Sequence, residues 1–312
     1  GSTLAATDTF TLLDNVKFWG EGVNQDGDVV LHTVDTVERG TVFLPETSPG
    51  AQDLDSPTIN IAAGVNFLEL ADNNNVNNFR MNGGATTISG NAVNAPQLAN
   101  LDINDPTNIG ISLIDITGTT VIDNTVTIDG ADTISMFIQG GEDGMNINAI
   151  INNDAGRALE IRDRTGGTIA YGGTITSTGG TGILIEDNVD ANITFTDEIT
   201  LATGANDALQ ILNNSADTGA TIRFNELLEI DTTAGDGVVI NGSDDDMTYR
   251  FADIDIETEA GAGFTATGDG TLIVTSANGT NSIATTTGRV LNLSGMSIGT
   301  GGANFDTVDA TG

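Results

Sequence analysis

Short stretches in which apolar and polar residues alternate recur along most of the chain. Between residues 181 and 205 three of them follow one another, with the apolar pairs Ile183/Ile185, Ile193/Phe195 and Ile199/Leu201. Alternation with a period of two is typical of a β-strand with one buried side, and no helical period of 3.6 residues runs through this segment. Asp-Asn and Thr-Gly pairs between the stretches favour bends. The segment is therefore predicted to form three short strands joined by tight bends.

The same unit of three strands repeats along the chain. At intervals of 24 to 29 residues, the first apolar positions of successive units are Leu159, Ile183, Leu209, Val238, Phe264 and Leu291. Less regular copies lie upstream, around Phe79/Met81, Ile114/Ile116 and Met136/Ile138. Strands this short bury apolar surface only when neighbouring units stack, so the repeat indicates a solenoid. Differences in unit length fall in the bends 186–192, 212–221 and 241–248, where we expect loops on one flank.

Three strands per unit predict a parallel β-helix, an all-β fold. Coils spaced by roughly 4.8 Å would make about ten coils into a rod of about 50 Å. A β-sandwich also uses short alternating strands, but it requires no fixed repeat with three strands inside each unit. The periodicity therefore favours a β-helix over residues 51–312, most regular from about residue 156.

The segment before the repeats contains the large apolar side chains Phe18 and Trp19. A solenoid needs its terminal coil covered, because exposed strand edges pair with other chains. We expect residues 3–50 to form this N-terminal cap. The chain opens with Gly1-Ser2 and no Met, so residues 1–2 are expected to be the remnant of a cleaved expression tag.

Three segments resemble the G-x-x-I-x-x-N repeat of right-handed parallel β-helix proteins of the pectin-lyase-like superfamily. They are GRALEIRDR (156–164), GILIEDN (182–188) and DALQILNN (207–214). The resemblance covers about residues 58–312 and implies a right-handed coil. It also implies that Asn188 and Asn214 are bend residues that stack into an asparagine ladder.

The leading segments 14–50 and 58–84 resemble the entry to the β-helix passengers of large bacterial surface proteins, of autotransporter or inverse-autotransporter type. This resemblance implies an extracellular location, on display at a bacterial outer membrane. It also implies adhesion rather than catalysis, with cell-surface glycans or other surface proteins as partners.

The charge balance restricts the partners further. The chain has 44 Asp and Glu residues against 9 Lys and Arg residues, a formal net charge of −35. Such a surface repels nucleic-acid phosphates and anionic lipid head groups and attracts cations. No apolar run approaches the roughly 18 residues of a membrane-spanning helix. We therefore expect no nucleic-acid partner and no direct membrane insertion, and the lack of cysteine excludes disulfides and thiolate metal sites.

Carboxylates on the third strand of successive units are the strongest candidates for a cation site. If Leu228/Ile230 and Ile254/Ile256 point inward, the outward side chains are Glu229, Asp231, Asp253, Asp255 and Glu257. Glu229 would then stack on Asp255 and Asp231 on Glu257, and like charges about 5 Å apart repel by about 1 kcal/mol even in water. A hard divalent cation, Ca²⁺ first, would relieve this repulsion. The acidic bend Asp244, Asp245 and Asp246 is a second candidate, although the fold itself requires no cofactor.

Many members of the superfamily cleave acidic polysaccharides, so a carbohydrate-active enzyme that uses carboxylates and calcium is the alternative function. Its substrate would need cationic side chains, and the best basic cluster is Arg157, Arg162 and Arg164 beside Glu160 and Asp163. Such a cluster on a bend is also typical of local ion pairs in solvent. With so few cations in the chain, we favour a noncatalytic structural or adhesive segment, a rigid acidic β-solenoid that presents its bend loops.

Overall fold

The computed structural model describes residues 3–23, 29–35, 56–276 and 279–311. Within these ranges the secondary structure consists of β-strands, and no helix occurs in them. In chain order the strands are β1 (Thr3–Ala6), β2 (Phe10–Thr11), β3 (Val16–Val23), β4 (Val29–Asp35), β5 (Thr58–Ile61), β6 (Leu68–Glu69), β7 (Asn75–Gly83), β8 (Thr86–Asn91), β9 (Gln97–Asn104), β10 (Ile109–Ile114), β11 (Thr120–Ile122), β12 (Val126–Asp129), β13 (Ile134–Gln139), β14 (Met145–Ile147), β15 (Ile150–Asn153), β16 (Arg157–Arg162), β17 (Thr168–Tyr171), β18 (Ile175–Ser177), β19 (Ile183–Glu186), β20 (Asn192–Phe195), β21 (Ile199–Gly204), β22 (Leu209–Leu212), β23 (Ala220–Thr232), β24 (Val238–Gly242), β25 (Met247–Thr258), β26 (Phe264–Gly268), β27 (Thr271–Val274), β28 (Ser282–Thr285), β29 (Leu291–Ser294), β30 (Ser297–Ala303) and β31 (Thr307–Ala310).

The strands wind into a parallel β-solenoid of about ten turns, which confirms the predicted fold class. Each regular turn passes through three faces. The first face is an 11-stranded sheet of β2, β6, β8, β10, β13, β16, β19, β22, β24, β26 and β29. The second and third faces share a 20-stranded sheet, because β7, β9, β23 and β25 run through both. The second face contains the first halves of these four strands with β3, β11, β14, β17, β20, β27 and β30, and the third contains their second halves with β1, β5, β12, β15, β18, β21, β28 and β31.

The core lies inside the solenoid, where side chains at equivalent positions of successive turns stack on one another. Leu159, Ile183, Leu209, Val238 and Phe264 are in register on the first face and are all fully buried, as the repeat predicted. On the second face an aromatic column runs through the core as Tyr171, Phe195, Phe224 and Phe251. The rings of Phe195 and Phe224 stack with centroids 4.6 Å apart, and those of Phe224 and Phe251 are 5.1 Å apart. Stacked aromatic pairs contribute about 0.5–1.5 kcal/mol beyond their buried area, which helps a core poor in rings.

The upstream copy at β10 differs from the prediction in its register. Ile111 and Leu113 point into the core there, while Ile114 lies on the outer side and Ile116 is buried in the bend that follows. The strand IGISLI carries apolar residues on both sides, so alternation alone does not fix its orientation. Pairing of Ile111 with Met136 and of Leu113 with Ile138 sets the register.

The N-terminal strands belong to the same stack. β1, β2 and β3 pair in parallel with β5, β6 and β7, and β4 is added to β3 as an antiparallel hairpin strand. Phe18 is buried in this coil and stacks on Phe79 at 4.5 Å. The predicted cap, 3–50, also includes 24–28 and 36–50, which lie outside the described residues, as do residues 1–2, so its extent stays a prediction.

Candidate functional site

The acidic residues of the third face lie in the register that the sequence predicted. Glu229 is opposite Asp255, and Asp231 is opposite Glu257, across the pairing of β23 with β25. Leu228, Ile230, Ile254 and Ile256 alternate with them and are buried, so the carboxylates of Glu229, Asp231 and Glu257 are on the exposed side. The structure therefore brings two pairs of like charges together on adjacent strands.

Three of these carboxylates accept hydrogen bonds from a neighbouring turn. The Thr200 hydroxyl donates to Glu229 Oε2 at 3.2 Å, and the Ser282 hydroxyl donates to Asp255 Oδ1. The backbone N–H of Gly279 donates to Asp253 Oδ1 at 2.9 Å. Asp253 differs from the expectation of an outward, solvated carboxylate, because it is only 4% exposed. These contacts tie each carboxylate to the strand stack.

The acidic bend is organised around one of its own side chains. Asp244 accepts the N–H of Asp246 at its Oδ1, 2.9 Å away, and the N–H of Met247 at its carbonyl oxygen. Asp245 and Asp246 are exposed. Among the residues that the structure describes, no three His, Cys, Asp or Glu side chains are arranged so that they could hold a metal ion. Calcium binding at either acidic candidate stays a prediction.

An outward column of polar side chains runs along the whole third face, and the sequence analysis found only its acidic end. The members of this exterior column, in register, are Asn60, Asn82, Asn104, Asp129, Asn152, Thr176, Thr200, Glu229, Asp255 and Ser282. Amide hydrogen bonds of 3.0 Å join the first three members, and one of 2.7 Å joins Asn152 to Asp129. The recurrence of Asn directly after a buried Ile or Met, as in TINI and FRMNG, was the available signal.

Asn188 and Asn214 form an internal ladder at the bend between the first and second faces. Both are buried. Asn214 Oδ1 accepts hydrogen bonds from the Nδ2 and the backbone N–H of Asn188, at 2.8 and 3.1 Å. Asn214 Nδ2 donates to the carbonyl oxygen of Ile185. One turn earlier, Asn188 Oδ1 accepts the backbone N–H of Arg164 at 3.1 Å. Each asparagine thus satisfies buried backbone groups of the preceding turn.

The left-handed backbone conformation falls one residue before each ladder position. Asp163, Asp187 and Asn213 have φ values of 54°, 54° and 55°. The resemblance implied that Asn188 and Asn214 themselves form the bend. The structure corrects this, because the residue before each of them has the left-handed conformation. Asp and Asn tolerate this conformation because their short side chains bond locally. The two tasks of the bend, turning the chain and bonding its neighbours, are divided between consecutive residues.

Arg164 occupies the ladder position of its own turn and is fully buried. Its guanidinium donates to the carbonyl oxygen of Gly140 at 2.7 Å and also reaches those of Asp143 and Gly166. Burial lowers the pKa of this guanidinium, and the charge of Asp143 opposes that shift. Arg164 is therefore separate from the predicted basic cluster and serves the backbone of the preceding turn.

Arg157 and Arg162 do lie together, at the two ends of β16 rather than on a bend. Both contact Glu160, at 3.2 and 3.4 Å, and Arg162 also lies 3.9 Å from Glu186. The guanidinium of Arg162 covers the ring of Phe137 at 4.9 Å. Both arginines form ion pairs with carboxylates of the same chain, so they are poorly placed to bind an anionic substrate.

A shallow groove of about 400 Å³ follows the junction between the third and first faces near the C-terminal turns. It is lined by the carboxylates of Asp231, Glu257 and Glu259 and by hydroxyls of Thr232, Thr258 and Thr285. Three corner threonines donate inward to a carbonyl three residues ahead, as Thr232 does to Gly235 at 2.6 Å. These three hydroxyls therefore hold the corner, and the groove offers its carboxylates together with the exposed Thr286 and Thr311.

No family model, curated protein or solved structure matches this chain. A helix long and apolar enough to cross a membrane is absent from the described residues. The resemblance to β-helix proteins is supported at the level of the fold, a parallel β-solenoid of about ten turns.

Proposed function

We propose that this chain is a noncatalytic structural or adhesive segment of a bacterial cell-surface or secreted protein. It acts as a rigid, acidic solenoid that presents its bend loops to cell-surface glycans or other surface proteins. The observation that carries the proposal is the continuous stacking of the turns, in which one apolar core runs through the described repeats.

Rigidity follows from how the turns are joined. Backbone pairing links every turn to the next, and side-chain ladders add bonds inside the bend at Asn188 and Asn214 and outside along the exterior column. Each turn contacts only its neighbours, so the stiffness of the rod is set by the bonds between successive turns. A rod of this kind holds its loops at a fixed spacing, which suits display.

The acidic surface supports a role outside the cell through its effect on association. Carboxylates on the outer side of the third face repel a second sheet and discourage lateral aggregation. The side chains of Glu229 and Asp255 also accept hydrogen bonds from hydroxyls of the preceding and the next turn respectively, so they contribute to the stack as well as to solubility.

The alternative is a carbohydrate-active enzyme of the polysaccharide lyase or hydrolase type. The groove with Asp231, Glu257 and Glu259 is the feature that favours it, since carboxylates can act as acid, base or calcium ligands. Against it, the hydroxyls of Thr232 and Thr258 are engaged with the backbone, and no cation is among the residues that line the groove.

A polysaccharide panel distinguishes the two functions. The chain is incubated with neutral and acidic polysaccharides, with calcium and with chelator, and both retained polymer and newly formed chain ends are measured. We expect retention without new ends. Turnover that is lost in Asp231→Asn and Glu257→Gln but kept in Asp309→Asn would establish the enzyme instead. Asp309 is an exposed carboxylate that lies in register with Ala284 and Glu257 but does not line the groove.

The location is tested separately by fractionating cells that make the parent protein. Antibodies against this chain should label intact cells or the culture medium. Recovery in the cytoplasmic fraction alone would refute the proposed display.

A further inference from the structure

Two arginines lie side by side on the outer side of the second face. Arg223 of β23 is directly opposite Arg250 of β25, one strand spacing away. Both side chains are half-buried. Placing two positive charges about 4.8 Å apart is unfavourable without a counter-charge, so the pair requires an explanation.

Neither arginine has a carboxylate partner among the described residues, although the chain has 44 acidic residues. Other arginines do: Arg80 pairs with Asp102 at 3.2 Å, and Arg157 pairs with Glu160. The Nε atoms of Arg223 and Arg250 are both shielded from solvent and donate no hydrogen bond within the described part of the chain. Two desolvated Nε donors therefore lie beside two adjacent charges for which the described residues supply no carboxylate.

Hydroxyl groups frame this pair. Thr194 precedes Arg223 in the same outward column, and Thr221 and Thr248 lie in register beside the two arginines. All three threonines are half-buried. The strands beneath them are fixed by the stacked rings of Phe224 and Phe251 on the inner side. The guanidinium groups are thus carried by a rigid surface that has threonine residues beside both arginines and Ile273 on the far side of Arg250.

We propose that the Arg223–Arg250 pair and its threonine frame bind a single tetrahedral oxyanion, a sulfate or phosphate group. Guanidinium forks match such oxygens with paired, charge-assisted hydrogen bonds, and one anion between them neutralises their repulsion. The net charge of −35 repels a polyanion, so the group is carried singly, on a small molecule or on an otherwise neutral glycan. The identity of the molecule that carries this group rests on the proposed adhesive function, whereas the anion site itself does not.

The site is tested on the full chain with inorganic sulfate and phosphate by equilibrium dialysis, against chloride at matched ionic strength. We expect saturable binding of one ion per chain. Replacing one guanidinium, in Arg223→Gln or Arg250→Gln, should weaken it by about tenfold or more. Arg289→Gln removes an equally charged, exposed side chain elsewhere and should leave the affinity within about twofold.

Substitution by lysine separates geometry from charge. Arg223→Lys with Arg250→Lys keeps both charges but loses the forks, so binding should remain measurable and weaker than in the original chain. Circular dichroism of each variant checks that the strands are retained. Absence of saturable binding in the original chain, or equal loss in Arg289→Gln, would overturn the site.

The source of the oxyanion is resolved by comparing inorganic sulfate, inorganic phosphate, a monosaccharide sulfate and the same sugar without sulfate. Competition by the sulfated sugar but not by the plain sugar supports a glycan-borne group. Competition by the free ions alone supports a site for a soluble anion. If the sugar without sulfate competes equally, the arginine pair is not the binding group; this result leaves the proposed display function intact.

Discussion

Replacing each of the two tyrosines by phenylalanine removes one hydroxyl from the core, and the structure predicts opposite effects on stability. Tyr171 and Tyr249 are both fully buried, in the two inward columns of the second face. The Tyr171 hydroxyl donates to the carbonyl oxygen of Ala149 at 2.8 Å. The Tyr249 hydroxyl has no hydrogen-bond partner in the part of the protein that the structure describes.

The magnitudes follow from these contacts. A buried hydrogen bond contributes about 1 kcal/mol net, so Tyr171→Phe should lower the free energy of unfolding by about that amount. Burying a hydroxyl without a partner costs about 1–3 kcal/mol, so Tyr249→Phe should raise it by about 1 kcal/mol. The same chemical change at two sites is then expected to differ by about 2 kcal/mol.

Alkaline titration gives a second measurement. Burial, and then the nearby charge of Asp244, raises the pKa of Tyr249 to about 12 from its ordinary 10.0. Burial also raises the pKa of Tyr171. Because the folded pKa is raised, ionising the phenol costs the folded state more than the unfolded state. The stability present below the ordinary pKa is therefore lost as the pH rises through the folded value. Stability should therefore fall between about pH 10 and 12, and less steeply in either variant.

Urea unfolding followed by circular dichroism provides the free energies at neutral pH, and tyrosinate absorbance follows the alkaline transition. Because each variant is the matched control of the other, effects of the lost oxygen volume cancel. Destabilisation of equal size in both variants would refute the reasoning, since it would mean that the Tyr249 hydroxyl is bonded as well as that of Tyr171.

Three further changes test the ladder, the ion cluster and the acidic face. Asn214→Ala leaves the buried N–H of Asn188 without an acceptor and should lower the free energy of unfolding by about 3 kcal/mol and speed hydrogen exchange there, whereas Asn241→Ala at an exposed site should change it by less than about 0.5 kcal/mol. Burial, and then neighbouring carboxylates, raise the pKa of Glu186, so its charge opposes folding at neutral pH. Glu186→Gln should therefore raise the urea midpoint above that of the original chain at about pH 7 but not at about pH 4, and the same difference at both pH values would contradict this. Calcium should raise the thermal midpoint relative to chelator, because it offsets repulsion between stacked carboxylates, and an unchanged midpoint would count against a cation site.

The repeat pattern was sufficient to predict which side chains stack. Leu159, Ile183 and Leu209 occur at one position of successive units, and a strand period of two leaves each of them only one side to occupy. The same reasoning placed Glu229 beside Asp255 and Asp231 beside Glu257. These predictions succeed because a solenoid adds only nearest-neighbour contacts, so the spacing along the chain becomes the spacing across the stack.

The same reasoning could not predict the direction or the partners of side chains at the bends. Arg164 looked like part of a solvated cluster, yet it turns inward and bonds the carbonyls of Gly140, Asp143 and Gly166. Its direction depends on the left-handed backbone at Asp163, which no period in the sequence reports. Asp253 is likewise buried although the alternation predicts an outward side chain, and it accepts the backbone N–H of Gly279 from the next turn.

By itself, the sequence determined an all-β solenoid, its three-strand turns and the apolar columns of its core, because burial imposes one period on every regular turn. Only the tertiary structure decided where the polar groups find partners. It showed that Asn188 and Asn214 bond buried backbone, that Arg157 and Arg162 are neutralised by Glu160, and that Arg223 and Arg250 are not neutralised within the described chain. Hydrogen bonds and ion pairs depend on atomic distances between adjacent turns, and these are set by the bends rather than by the alternation of apolar residues.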